Sequence, residues 1–177
     1  MVVVALPASP RASRAGVGTA GSTTGVVANS AFDLLQRIQT EALQVKDDAS
    51  QLQVYTREAF QIDWQSDGYV LERASERVNE MDNLLSQLRT NQSGALPWQR
   101  RAIERIAPSV VNLTDTTQDA IVTLNNSHGR IQFSNLEGLA NHMYSEARRI
   151  SQTIADFEKY ADARYEAQQL QQTLGLQ

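Results

Sequence analysis

Cysteine is absent from this chain, which excludes disulfides, thiolate metal sites and cysteine nucleophiles. Histidine is scarce: His128 and His142 stand alone, too few for a histidine-rich metal site. A di-iron carboxylate bundle needs Glu-x-x-His on two helices, and neither histidine follows a glutamate at that spacing. Haem is disfavoured too, since no Cys-x-x-Cys-His occurs and the adjacent His142 and Met143 cannot both point into a core. No strand-like alternation precedes a glycine-rich loop, so the familiar phosphate cradles are missing. No apolar run approaches the ~20 residues needed to span a bilayer, and no transmembrane segment is expected. The net charge is only −4 with both signs mixed along the chain, so no nucleic-acid footprint is present. These absences leave no catalytic, metal or cofactor residues to name, and the expectation is that the protein is not an enzyme.

What the chain does contain is helical periodicity. From Ser134 to about Leu174 the apolar positions Leu136, Ala140, Met143, Ala147, Ile150, Ile154, Phe157 and Ala161 recur in steps of four and three. Ser134 and Glu137 have capping-box spacing at its start. Three more seams precede it. The first reads Ala31, Leu35, Ile38, Ala42, Val45, Ala49, Leu52, Thr56 and Ala59, with Ser30 as its cap. The second carries Leu71, Ala74, Val78, Met81, Leu85 and Leu88; the third carries Ile103, Ile106, Val110, Leu113, Thr117, Ala120 and Leu124.

The breaks between them are short, each with one glycine: Gly68, Gly94 and Gly129. Pro97 suits the first position of the third helix, where its missing amide costs little. Pro108 falls inside that helix, yet the seam crosses it in register, which predicts a kink and not a stop. Short connections make sequence neighbours antiparallel. The expected fold is all-α: an antiparallel up-down-up-down four-helix bundle with heptad-like, coiled-coil seams, its helices at about 30–62, 66–91, 97–125 and 134–174 of a domain spanning 30–177. Dimeric hairpins that complete their core by pairing are the rival, although Leu34, Val111, Ile121 and Tyr160 widen the stripe toward a closed monomer. The alanines of the first and fourth seams predict that those two helices pack closely as neighbours.

Residues 1–29 carry a short Val-rich run followed by a Gly/Ser/Ala-rich tract. Two readings fit: the remnant of a secretory signal peptide, which places the protein in the periplasm or outside the cell, or a disordered tail on a cytoplasmic protein.

Two groups are candidates for binding. Counting outward from the turns puts Thr56, Ala74, Thr117 and Met143 in one layer with His142 on its flank, which combines room and polarity as a small-ligand pocket requires. Arg100, Arg101 and Arg105 cluster near the start of the third helix, the end that repels cations, and can receive an anionic partner or a lipid head group. The plainer account is a solvated face with cross-helix pairs such as Asp82 with Arg105. Past Ala161 the fourth helix runs on with Arg164 in a core phase and with Leu170 and Leu174 able to dock another subunit. The resulting expectation is a non-enzymatic interaction or scaffold module. It engages a protein partner, or a second copy, through its outer faces and long C-terminal helix. A small-ligand sensor or carrier built on the Thr56, Thr117 and His142 layer is the alternative.

Overall fold

The computed structural model describes the backbone of residues 20–58, 64–126 and 133–175. Four helices account for almost all of it: α1 (Ala20–Glu58), α2 (Trp64–Thr90), α3 (Pro97–Asn126) and α4 (Phe133–Thr173), with a short 3₁₀ turn at Gln92–Gly94. No strand occurs among the described residues. Each helix packs against its neighbours in sequence, and α1 packs against α4, so the four close into a ring. That is the up-down-up-down four-helix bundle, with α1 opposite α3 and α2 opposite α4.

The seams explain why the ring closes. Every described member of the first three seams is buried, from Ala31 to Thr56, Leu71 to Leu88 and Ile103 to Leu124, as are Leu136 to Ile154 on α4. A stripe repeating every three or four residues falls on one side of an α-helix, and water drives the four stripes together. Alanines on α1 and α4, including Ala42, Ala49, Ala140 and Ala147, are fully buried, as expected for helices packed closely as neighbours. Leu34 and Ile121 pack against this core, whereas Val111 and Tyr160 remain exposed, so the stripe is narrower than the sequence suggests.

Helix ends follow local chemistry, with two departures. Pro97 opens α3 as expected, and the Gln99 side chain reaches back to accept from the Leu96 amide at 2.8 Å, satisfying a donor at the helix entrance. α3 then passes through Pro108 without a break. At the other termini, α1 begins at Ala20, ten residues before the expected cap Ser30, so residues 20–29 are helix where a tail was expected. Once a helix exists, each further turn needs no new nucleus, and the tract's glycines slow this extension without forbidding it. α4 likewise begins at Phe133, ahead of Ser134, and the Glu137 carboxylate accepts from Arg57 Nε of α1 at 2.6 Å; the Ser134 side chain of the expected capping box lies outside the described residues. Gly68 lies within α2 and not in a turn. Residues 1–19, the seam position Ala59, His128 and Gly129 lie outside the described residues.

The α1–α4 register is uniform. Gln36 Nε2 donates to Glu158 Oε1 at 2.6 Å, Gln39 to the Ser151 carbonyl at 3.3 Å, and Gln53 to the Ala140 carbonyl at 3.4 Å. Carried onward, this register sets Ser30 level with Arg164 and Ala20 level with Leu174. α3 starts at Pro97, beside Arg164, and α2 ends at Thr90. The last ten residues of α4 therefore run about 15 Å beyond the four-helix body as a stem, exposed throughout.

Candidate functional site

An open groove of about 810 Å³ lies between the first turns of α3 and the last turns of α4 that still have α3 beside them. α3 contributes Pro97, Trp98, Arg101, Glu104 and Arg105; α4 contributes Thr153, Asp156, Phe157, Tyr160 and Arg164. The helical repeat explains the selection. Positions 97, 101, 104 and 105 share one side of α3, and 153, 156, 160 and 164 share the side of α4 turned toward it.

Two of the three expected arginines belong to this groove. Arg101 and Arg105 line it, while Arg100 is exposed outside it, one residue and about 100° around the helix. Arg164, expected in a core phase, is instead exposed at the groove's upper end, because the core has ended at its level. Arg105 stands over the Phe157 ring at 5.9 Å, a cation–π contact, and does not pair with Asp82. Trp98 meets Phe32 of α1 edge to face at 6.4 Å, which fixes the aromatic floor against the body. Among the described residues, Arg101, Arg105 and Arg164 have no carboxylate within ion-pair distance, although Glu104 and Asp156 share the groove. The groove thus combines uncompensated cations with aromatic surface and offers anion pairing and apolar contact together.

None of the other candidate group lines the groove. Thr56 and Thr117 are buried, and each hydroxyl donates to a carbonyl of its own helix: Thr56 to Gln53 at 3.0 Å and Thr117 to Leu113 at 2.8 Å. Met143 is fully buried in the core and His142 is exposed. The α1–α2 register, set by Asp48 with Arg73, places Ala74 about two and a half turns from Thr56.

One cluster was not foreseen at all. Asp48, only 4% exposed, receives Arg73 through Nε at 2.8 Å and through Nη2, and Arg77 Nε approaches its other oxygen at 3.2 Å. Arg73 also donates to Gln51 Oε1 at 3.1 Å and covers the Tyr69 ring at 5.5 Å. The hydrogen bond to Asp48 raises the Arg73 pKa further above its ordinary value, so this guanidinium is charged at every accessible pH. The cluster ties α1 to α2: Asp48 Oδ1 accepts from Arg73, Oδ2 meets Arg77 Nε as an ion pair without hydrogen-bond geometry, and none of the three lines the groove. Its sequence signal is faint, an acidic residue directly beside the seam position Ala49.

Compared with known protein families, curated proteins and solved structures, the chain finds no match in any of the three. Among the described residues, no helix is long and apolar enough to cross a membrane, and no group of acidic or histidine side chains suited to a metal ion occurs.

Proposed function

We propose that the chain is a non-enzymatic interaction module, a rigid four-helix body that presents the α3–α4 groove to a protein partner carrying acidic and apolar side chains. One observation supports this above the others: Arg101, Arg105 and Arg164 share a single open groove with Trp98, Phe157 and Tyr160. Arginine and large aromatics are the side chains most enriched where protein interfaces concentrate their binding energy. An acidic partner residue would meet a guanidinium without first displacing an internal carboxylate, and its apolar neighbours would cover the rings.

The test is native mass spectrometry on untagged protein recovered from its source cells, beside the double variant Arg101→Glu, Arg105→Glu. Added mass of protein size, lost in the double variant while Arg100→Glu retains it, is the expected result. A bound small molecule that survives charge reversal would overturn this reading and favour the carrier bundle.

A further inference from the structure

Beyond Pro97, α4 continues with nothing of the body beside it, and its three sides differ in character. The side that faced the core runs on as Arg164, Gln168 and Gln171, and the side that faced α1 as Asp162, Tyr165, Gln169 and Gln172. The side that faced α3 runs on as Ala163, Ala167, Leu170 and Leu174, in coiled-coil steps of four and three. Leu170 is 62% exposed and Leu174 67%. The apolar side is thus the one from which α3 has withdrawn.

We infer that this vacancy is filled by the same stretch of α4 from a second copy of the chain, running antiparallel, so that two molecules join end to end through their stems. The inference rests on the reading of the end of α4 as an interaction surface, and three features of the chain favour a second copy as the occupant. The stripe is self-complementary in size: with Ala167 opposite Leu170 of the second copy and Ala163 opposite its Leu174, each large side chain lies over a small one. The flanks are compatible, since Arg164 then faces Gln171 and Glu166 faces Thr173, with no like charges opposed. The lengths also agree. In this register the second α4 reaches its last helical residue, Thr173, beside Arg164, where α3 begins, and Gly175 in the left-handed conformation (φ +64°) turns the chain away there.

Electrostatics favours the same arrangement. The last turn of α4 has no basic residue to meet its unpaired carbonyls, and the first turn of α3 has no acidic residue at its amide end. End to end, the carbonyl end of the second α4 meets the amide end of α3, with Arg101 and Arg164 beside the junction, neither in an ion pair among the described residues. A parallel partner is excluded by sterics, because its helix would run into α3. The closed two-fold pairing consumes the stripe on both chains.

Sedimentation of the purified full chain across a concentration series tests this. The expected species is a dimer, twice the 19.6 kDa chain. Leu170→Glu, which alters an exposed position, should weaken it by about 100-fold or more with helicity unchanged, because each interface loses two buried leucines. Orientation is read by cysteines in this cysteine-free chain: Ala163→Cys mixed with Leu174→Cys should form disulfides between unlike chains. A monomer at every concentration, a dimer indifferent to Leu170→Glu, or Ala163→Cys chains that couple chiefly to themselves would overturn it. None of these measurements involves an outside partner, so loss of groove binding leaves the dimer standing, and loss of the dimer leaves groove binding standing.

Discussion

Arg73 of α2 holds the Asp48 carboxylate of α1 at 2.8 Å from its Nε, and the acid is far more withdrawn from water than the base: their side chains are 6% and 32% exposed. Arg77, 25% exposed, approaches the other carboxylate oxygen. This asymmetry sets the cost of breaking the cluster. With Arg73→Ala and Arg77→Ala together, a buried carboxylate loses its counter-charges, and stability should fall by about 3–5 kcal/mol. Asp48→Ala leaves two guanidinium groups that can turn to water and should cost less, about 1–2 kcal/mol. Urea unfolding of the two variants decides; equal losses, or a larger one for Asp48→Ala, would contradict the assignment.

Glu158 carries a pH-linked prediction. Burial raises its pKa above the ordinary 4.5, opposed by the hydrogen bond from Gln36 and assisted by nearby Asp162. A carboxyl raised on folding stabilises the protein fully below its unfolded-state value, and that contribution is lost as pH climbs through the raised folded value. Glu158→Gln keeps an oxygen for Gln36 and removes the charge. It should raise the unfolding midpoint at neutral pH and leave it nearly unchanged at about pH 4, where the native acid is largely neutral. A variant less stable than the native chain at neutral pH would refute this.

Pro108 interrupts the hydrogen-bond ladder of a helix that continues on both sides, and its ring is exposed. Pro108→Ala returns one backbone bond to the Glu104 carbonyl and relieves the ring's clash with it. The gain should be about 2 kcal/mol, below the full ~3 kcal/mol helix penalty because proline also restricts the unfolded chain. No change in unfolding midpoint would mean that local distortion already accommodates the ring.

Ala49 sits fully buried on the α1 seam where that helix packs against both neighbours. Ala49→Leu adds volume to a space with no room for it and should cost about 1–3 kcal/mol through overpacking. Calorimetry showing a stabilised variant would place a void beside Ala49.

The fold was legible because one signal dominates it. A helix seam depends only on the spacing of residues such as Leu35, Ile38 and Ala42, and short breaks leave few ways to fold four such helices together. The site was legible only in part. Arg101 and Arg105 stand out as a basic cluster, but Arg100 belongs to the same cluster in sequence and points elsewhere. Arg164 joins them only through the α3–α4 register. Asp48 was illegible for a related reason: a charged residue beside a seam reads as solvated until its arginines, 25 and more positions later, are brought to it by the α1–α2 pairing. The start of α1 at Ala20 escaped because propensity argues against a tract containing Gly21 and Gly25, and propensity is a weak guide where an existing helix only has to lengthen.

Because α1 and α4 are antiparallel neighbours, Ala20 and Thr173 emerge at the same end of the body. A tension drawn between those two points loads the α1–α4 seam by peeling. Its small alanine layers then open one at a time from the stem downward, each bearing the whole force in turn, and the molecule yields like a zipper. The same seam pulled along its length would have to slide every layer at once. The body is therefore weak toward tension that parts the two helix ends, and strong toward load along the helix axis.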